Sequence, residues 1–419
     1  MSSDWKVVVL QLGCRRGYAT VVAFSSAGRL ERFFTDFYAG KVGAGVAFGK
    51  LAKGLGIRSF AKLAGRVSPQ IPANKVSHFP FFALCYKVRK IFASRFGDLP
   101  RAYVWGGRTF CKIVASKLER STRVVYCFSS AAKEVFEAVR GSNAIRILDQ
   151  ATPPLDFEED LVRRVAAKYQ DWVKPRVFSR GLEEYTTRQA EEWKLADIIV
   201  CPSRFCADSV LASGVEASKI RIVPFGISPS YFSAQLGRIR NSPNGTLRVL
   251  FVGNDPLRKG MMDLVLALEQ IGDPAVRGVF VGSTSSLTRK AVARASRVGV
   301  VMGTVPRTEM VKIYQNADVF VLPSISDSFG AVVLEAMAAG LPVITTPNCG
   351  ASEIVRDGVD GFIVPMAAPD AIAKKIKLLA SNETLRIEMG RKAMERASQY
   401  TLASYRERLL DCVEAVIRS

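Results

Sequence analysis

The chain has 419 residues, which is too long for one hydrophobic core and suits two domains. Its 48% hydrophobic and 23% charged residues exclude a disordered chain, and no apolar run approaches the roughly 20 residues of a membrane-spanning helix. The formal net charge of +21 favours anionic partners. Eight scattered cysteines without a C-x-x-C pair, and a single histidine, argue against a metal site or a disulfide framework. We therefore expect a cytoplasmic protein with reduced thiols and no bound metal.

Apolar strand-like runs alternate with helical patterns along most of the chain. In the first half the predicted strands span 7–10, 124–128, 145–148, 198–201 and 221–223. In the second half they span 248–252, 278–281, 300–302, 319–322, 343–345 and 362–364, with helical patterns over 261–271, 287–297, 307–315 and 329–339. Continuous Val, Ile and Leu runs are typical of parallel strands that are covered on both faces. The alternation predicts an α/β fold with doubly wound parallel sheets.

A polar, turn-rich stretch without periodicity separates the two sets of strands. We therefore predict an N-terminal domain over 1–238, a linker over 239–246 and a C-terminal domain over 247–400. The last segment, 401–419, is predicted to be a helix that is free to pack back on the N-terminal domain.

The positive charge is concentrated in one part of the N-terminal half. Between positions 37 and 123 there are 17 lysines and arginines against two acids, which gives +15 of the total charge. Such a field attracts membrane headgroups, nucleic acid or a polyphosphate. Within this basic 37–123 region, a glycine-rich cationic segment at 39–66 has an apolar pattern that suits a membrane interface, and an ordinary solvated basic loop is the alternative.

The strongest functional pattern is the stretch from 319 to 344. A buried strand ends at Pro323, a loop follows, a helix is predicted from Phe329, and Gly340 with Pro342 ends that helix. Ligands of open α/β sheets bind at the carboxyl ends of the strands, where this loop lies. The helix start offers N–H groups and partial positive charge to a diphosphate, and Asp327 and Glu335 add two carboxylates.

This stretch resembles the E-x7-E motif of the family 4 retaining glycosyltransferases, with aspartate in place of the first glutamate. Four further segments are similar to motifs of that family: 196–203 (ADIIVCPS), 223–227 (VPFGI), 251–260 (FVGNDPLRKG), and 303–306 (GTVP) with Tyr314, Ala317 and Asp318. The resemblance covers about 193–365, whereas the first 190 residues match only loosely. It implies the GT-B fold, in which two Rossmann-like doubly wound domains face each other across a cleft.

The resemblance also implies roles for individual residues. Arg258 and Lys259 would neutralise the departing diphosphate. Asp327 would contact the donor sugar, and Glu335 would bind the nucleoside ribose. Backbone groups and glycines would line the donor side at Gly253, Asn254, Gly303, Phe329 and Gly330, and the acceptor side at Gly13 and Gly17.

The implied activity is the transfer of a hexose with retention, without metal or cofactor, from a UDP- or GDP-sugar. The implied acceptor is a lipid-linked molecule or a polysaccharide, in the biosynthesis of a cell-surface or exported polysaccharide. The basic 37–123 region would hold the protein against the anionic inner face of the cell membrane, as a cytoplasmic peripheral protein.

Three alternatives are consistent with parts of the sequence. A sugar-nucleotide epimerase could share the architecture, although the Asp327–Glu335 segment argues against it. A non-catalytic polyanion or nucleic-acid binder would explain the charge, but a recognised nucleic-acid module is missing. A weakened transferase would explain Asn254, where many relatives have arginine, and the lack of a histidine over 124–130. The lone His78 is expected to be a packing or surface residue.

Overall fold

The computed structural model describes residues 5–41, 65–174, 181–232 and 245–418. Most of the predicted linker (239–246) and most of the cationic segment at 39–66 lie outside these ranges. Two α/β units are present, each built on a parallel sheet. Within the described ranges, no helix is both long and apolar enough to cross a bilayer.

The N-terminal sheet has seven parallel strands in the order β3-β2-β1-β4-β5-β6-β7. They are β1 (Val7–Gln11), β2 (Leu30–Thr35), β3 (Val76–His78), β4 (Val124–Phe128), β5 (Ile145–Asp149), β6 (Ile198–Cys201) and β7 (Ile220–Ile222). The described helices around it are α1 (Ala19–Ser26), α2 (Pro80–Phe96), α3 (Leu99–Ala115), α4 (Lys133–Ala138), α5 (Leu155–Ala166), α6 (Leu182–Leu195) and α7 (Arg204–Leu211). The strand order reverses direction between β1 and β4, which opens a crevice at their carboxyl ends.

The C-terminal sheet has six parallel strands in the order β10-β9-β8-β11-β12-β13. They are β8 (Leu247–Val252), β9 (Val276–Val281), β10 (Gly299–Gly303), β11 (Val319–Leu322), β12 (Val343–Thr345) and β13 (Gly361–Ile363). The helices are α8 (Met261–Ile271), α9 (Arg289–Val298), α10 (Arg307–Gln315), α11 (Ala331–Ala338), α12 (Pro369–Ser381), α13 (Glu383–Ala397) and α14 (Leu402–Arg418). The corresponding reversal lies between β8 and β11. The predicted α/β class with two doubly wound sheets is confirmed.

Two segments cross from one unit to the other. Val162, Val165, Tyr169 and Trp172, at and after the end of α5, are buried in the same hydrophobic cluster as the C-terminal core. In the opposite direction, α14 packs on α1, where the Tyr405 and Thr20 hydroxyls are hydrogen-bonded at 2.9 Å. Each unit therefore completes its core with a segment from the other half of the chain.

The structure corrects the predicted elements in two places. Strands β2 and β3 were not predicted, because β2 carries Glu31 and Arg32 in its middle and β3 is a three-residue edge strand. Helix α11 begins at Ala331 rather than at Phe329, since Gly330 has a positive φ of 77° and so lies outside the helical conformation.

Candidate active site

A cavity of about 440 Å³ opens at the carboxyl ends of β8, β9, β10 and β11, in the crevice of the C-terminal unit. Six of the predicted site residues line it: Gly253, Asn254, Arg258, Lys259, Asp327 and Glu335. Tyr231, Thr304, Arg307 and Met310 also contribute to the wall. The structure thus brings together residues that are up to 82 positions apart in the sequence (Gly253 to Glu335).

Close packing of two loops places the charged residues. After β8, Gly260 has a φ of +73°, and a Cβ at this position would overlap the Pro323 carbonyl at the end of β11. The Ile325 N–H donates to the Arg258 carbonyl at 2.8 Å. Only glycine allows this approach, and the approach puts Lys259 beside Asp327.

Lys259 and Asp327 form an ion pair inside the cavity, and each side chain is only 12% exposed. Burial raises the pKa of Asp327, but the charges of Lys259 and Arg258 outweigh it and leave that pKa below its usual range. The Phe329 N–H also donates to the Asp327 carboxylate at 3.4 Å. Asp327 is therefore ionised at neutral pH, and its partner cation faces the cavity.

Arg258 reaches across to the N-terminal unit. Its guanidinium donates to the Ser326 carbonyl at 2.8 Å and lies 3.5 Å from the Glu158 carboxylate of α5. The Ser326 hydroxyl donates to the same carboxylate at 3.1 Å. Part of the charge of Arg258 is thus matched by Glu158, and the guanidinium links the two units at the edge of the cavity.

Glu335 lies in the second turn of α11 and is 9% exposed. Burial raises the pKa of Glu335. A 2.9 Å hydrogen bond from the Tyr314 hydroxyl and the Arg307 guanidinium 3.6 Å away both lower this pKa, but the effect of burial is larger. Tyr314 is fully buried. Its hydroxyl therefore fixes the orientation of a carboxylate that points to the cavity.

Two glycines from neighbouring strand ends, Gly253 and Gly282, line the cavity, whereas the predicted site residue Gly303 does not. The Gly253 N–H donates to the Val281 carbonyl at 2.9 Å, and the Gly282 N–H donates to the Gly303 carbonyl at 2.8 Å. A Cβ on Gly282 would overlap the Gly253 carbonyl, so this position requires glycine. Gly282 was not predicted as a site residue, although its position directly after the predicted strand 278–281 was a signal in the sequence. The result is a surface of bare backbone that a flat or polyanionic ligand can approach.

Asn254 lines the cavity, whereas the predicted site residues Phe329 and Gly330 do not, and all three have structural contacts. The Asn254 side-chain oxygen accepts from the Ser283 N–H at 3.3 Å and so holds the loop after β9. The Phe329 ring is buried and packs on Phe225 with centroids 4.8 Å apart. Next to it, a Cβ on Gly330 would overlap the Cys349 sulfur. These contacts set the position of the loop that carries Asp327.

The predicted acceptor loop follows β1 and has an unusual backbone. Arg16, Gly17 and Tyr18 have φ values of 52°, 60° and 66°, which is one turn of left-handed conformation. The Gly13 N–H donates to the Asp36 carboxylate at 2.9 Å. Glycine at 13 and 17 adopts these positive φ values without strain, whereas Arg16 and Tyr18 adopt them at a cost in energy.

Arg16 connects this loop, through Phe225, to the loop that carries Asp327. Its guanidinium lies 3.2 Å from the centre of the Phe225 ring and 3.1 Å from the buried Asp149 carboxylate. Phe225 in turn contacts Phe329. The sequence analysis missed Arg16 and Asp149 because they come from two distant segments that no local pattern relates. His78 does not line the cavity, and its Nδ1 atom accepts a hydrogen bond from the Tyr38 N–H at 3.3 Å.

Comparisons with known proteins agree with this geometry. The family model described as "Glycosyl transferases group 1" matches residues 235–396. The D-inositol 3-phosphate glycosyltransferase of Segniliparus rotundus is 32% identical over 219 residues, which cover 48% of this chain and 48% of that protein. The amylovoran biosynthesis glycosyltransferase AmsK of Erwinia amylovora is 26% identical over 216 residues, which cover 48% of this chain and 52% of that protein. The chain thus spans about half the length of these curated relatives.

Similarity to solved structures extends over nearly the whole chain. The crystal structure of Anabaena HepE in complex with UDP and glucose aligns with 98% of this chain and 100% of its own, with a TM-score of 0.63 and 14% identity. At this identity the similarity concerns the fold, which is that of GT-B glycosyltransferases. The chain therefore has the two-domain GT-B fold, and its residues 235–396 match the model of the group 1 glycosyltransferase domain.

Proposed function

We propose that the protein is a retaining glycosyltransferase of the family 4 type that transfers a hexose from a UDP- or GDP-sugar. The observation that carries the proposal is the joint presence of Lys259, Asp327 and Glu335 on one cavity at the carboxyl ends of β8 and β11. The cavity volume of about 440 Å³ is in the range of small-molecule sites.

The diphosphate of the donor would lie between Lys259 and the start of α11. Lys259 supplies a positive charge that faces the cavity, and the lack of side chains at Gly253 and Gly282 leaves room for a ligand to approach the backbone. Arg258 adds charge from the edge, although it also contacts Glu158. Because these cations balance the diphosphate, the proposal requires neither a metal nor a cofactor.

The two carboxylates would recognise the sugar and the ribose. Asp327 is ionised and accepts hydrogen bonds, so it would bind hydroxyls of the donor sugar next to the diphosphate. Glu335 lies in the second turn of α11, where the Tyr314 hydroxyl holds its carboxylate, and it would bind the ribose hydroxyls. The base would then lie along the edge near Gly303.

The chemical step follows from where charge develops. Breaking the bond between the anomeric carbon and the diphosphate oxygen leaves positive charge on the sugar and negative charge on the diphosphate. Lys259 stabilises the leaving diphosphate, and Asp327 lies close enough to stabilise the sugar cation. The acceptor hydroxyl attacks the anomeric carbon from the face that the diphosphate leaves, and its proton passes to a phosphate oxygen, so the configuration is retained.

The acceptor is proposed to be a lipid-linked molecule or a polysaccharide at the cytoplasmic surface of the membrane. Two observations support this. One relative bears a name that places it in amylovoran biosynthesis. The basic 37–123 region gives the N-terminal unit, which carries the Gly13–Gly17 loop, a strong attraction to anionic headgroups.

The first test is a thermal-unfolding panel with UDP, GDP, ADP, CMP and TDP. A ligand at a hundred times its dissociation constant adds about 2.7 kcal/mol of stability. We expect one nucleotide to raise the melting temperature of the wild type and of the control Lys290→Ala, an exposed lysine, but not of Lys259→Ala. No response to any nucleotide, with salt-sensitive binding to polyanions, would favour the non-catalytic alternative.

The second test follows the products. With the donor that the panel identifies, transfer to a lipid-linked or polysaccharide acceptor should give a glycoside with the anomeric configuration of the donor, measured by NMR. Conversion of the free nucleotide sugar without an acceptor would indicate an epimerase. The proposal is wrong if Lys259→Ala and Glu335→Ala both leave sugar transfer unchanged.

A further inference from the structure

Helix α2 exposes an apolar surface that its place in the fold does not require. Among the described residues, six of the 13 exposed large apolar side chains belong to this helix: Phe81, Leu84, Val88, Ile91, Phe92 and Phe96. Phe81 is 80% exposed and Phe96 is 68% exposed. We call these six residues the α2 stripe. Contiguous exposed apolar surface of this kind is rare on a soluble domain and marks an interaction site.

The α2 stripe lies on one side of the helix. At about 100° per residue, its six members fall within an arc of about 140°. The opposite side carries Phe82 and Tyr86, which are buried against α3. A Cβ on Gly106 of α3 would overlap the Tyr86 ring, so the two helices are in close contact. Helix α2 is thus fixed by one apolar face and presents a second one to solvent.

The charges around the stripe are of one sign. Helix α2 contains four basic residues and no acid. At the same spacing, Lys87 and Arg89 border the stripe on its two sides, and Arg95 falls within its arc in the last turn of the helix. A helix with an apolar face, flanked by lysine and arginine, has the pattern of a helix that lies in the interface of an anionic membrane.

The same charges argue against a second copy of the chain as the partner. If two α2 stripes packed face to face, their basic residues would be brought together with no acid on either helix to balance them. An anionic bilayer instead offers hydrocarbon to the stripe and phosphates to the cations. Each lysine or arginine near such a surface contributes about 1 kcal/mol of attraction.

We propose that α2 is the membrane-docking element of this protein and lies in the plane of an anionic bilayer with the α2 stripe inserted below the headgroups. The proposal specifies the residues of contact, and it stands apart from the sugar-transfer chemistry. At 17 residues, α2 is about 25 Å long, which is a suitable length for an interfacial helix.

The start of α2 is tied to the predicted acceptor loop. Helix α2 follows β3 directly, at the carboxyl edge of the N-terminal sheet. The Phe79 N–H donates to the Asp36 carbonyl at 3.0 Å, and the Asp36 carboxylate accepts from the Gly13 N–H at 2.9 Å. Docking through α2 would therefore bring the membrane surface to the edge that carries this loop; this consequence, unlike the docking itself, rests on the proposed function.

The experiment is flotation of the full chain with vesicles of phosphatidylcholine alone or mixed with phosphatidylglycerol. We expect binding only to the mixed vesicles, and weaker binding at high salt. The variant Phe81→Ser/Phe92→Ser should bind at least about tenfold more weakly, because each phenylalanine contributes burial of apolar area. Leu378→Ser/Ile387→Ser, which alters two exposed apolar residues of α12 and α13, is the matched control and should bind as the wild type does.

Two outcomes would overturn the proposal: wild-type protein that does not float with anionic vesicles, or a phenylalanine variant that floats as well as the control. A wild-type dimer in light scattering that the phenylalanine variant converts to a monomer, without any lipid binding, would instead assign the stripe to a second copy. The nucleotide melting shift, measured on the same samples, reports the donor site separately. Wild-type protein that shows the melting shift but does not bind anionic vesicles would refute the docking helix and leave the proposed transferase in place.

Discussion

The Lys259 ammonium and the Asp327 carboxylate form an ion pair across the loops that follow β8 and β11. Both side chains are largely buried, and the pair lies on the wall of the cavity. A ligand diphosphate would compete with Asp327 for Lys259. Under the proposed function, the pair would keep the cation in place before the donor arrives, and the carboxylate would be released to contact the sugar when the donor binds.

Replacing Lys259 tests this arrangement most directly. Lys259→Ala removes the charge that faces the diphosphate, and we expect sugar transfer to fall on the order of a hundredfold or more. The measurement is the initial rate of transfer from the donor that the nucleotide panel identifies. Lys290→Ala, in an exposed ion pair with Asp171, is the control and should retain the wild-type rate. Equal rates for the two variants would exclude Lys259 from the reaction.

Glu335 gives a prediction about pH. Its folded-state pKa is raised, chiefly by burial, so between the unfolded and the folded pKa the folded state holds a proton that the unfolded state has lost. Stability contributed by this group therefore falls as the pH rises through that window. We expect Glu335→Gln to be more stable than the wild type at neutral pH, and the difference to disappear below about pH 4.

The same variant should lose function while it gains stability. A glutamine keeps the hydrogen bond from Tyr314 but has only one oxygen to accept from ribose hydroxyls, so the nucleotide melting shift should shrink. Urea unfolding at several pH values and the nucleotide panel measure the two effects. Glu309→Gln, on the exposed side of α10, should change neither of them. A destabilised Glu335→Gln protein at neutral pH would contradict the assigned cost of burial.

The C-terminal unit was well predicted from sequence because its signals are local. Its strands are short runs of Val, Ile and Leu that are buried on both faces, and the loops after β8 and β11 carry the motifs that line the cavity. Parallel strands bring their carboxyl ends to one edge, so the meeting of Lys259 with Asp327 follows once the sheet order is known.

The N-terminal unit was predicted less well because its contacts are distant in sequence. Strand β2 is held between β1 and β3 although Glu31 and Arg32 interrupt its apolar run. Arg16 finds Asp149 only in the folded sheet, where β1 and β5 flank β4. The exposed apolar face of α2 was not predicted either, because this helix has two apolar sides and the sequence alone does not say which of them is covered.

Gly330 provides a test of the backbone at the donor loop. Gly330→Ala combines a φ of +77° with an overlap between the new Cβ and the Cys349 sulfur. Gly28→Ala shares the positive φ, at +71°, but has open space around it, so it measures the backbone cost alone, about 1–2 kcal/mol. We expect Gly330→Ala to cost a further ~1–3 kcal/mol in urea unfolding. Adding Cys349→Ala should recover part of that difference, and identical stabilities of the two glycine variants would refute the packing argument.

Arg16 gives the last prediction, which separates the two sides of the cleft. Arg16→Ala removes the guanidinium from the buried Asp149 carboxylate, which keeps the hydrogen bond from the Tyr126 hydroxyl at 2.8 Å, and it removes the contact with Phe225. Removing one partner of a buried ion pair typically lowers the free energy of unfolding by about 3–5 kcal/mol, and the double variant Arg16→Ala/Asp149→Asn should regain part of that loss. Arg164→Ala, from an exposed ion pair with Asp160, should cost little.

The functional effect of Arg16→Ala should be confined to the acceptor side. Arg16 does not line the donor cavity, so the nucleotide melting shift should persist. Its loop, however, would lose the contact with Phe225 that links it to Phe329 and the donor loop, and the transfer rate should therefore fall at saturating donor. The measurements are the nucleotide melting shift, which reports donor binding, and the transfer rate as a function of acceptor concentration at saturating donor. If donor binding and transfer fell together, Arg16 would act on the whole fold rather than on the alignment of the two loops.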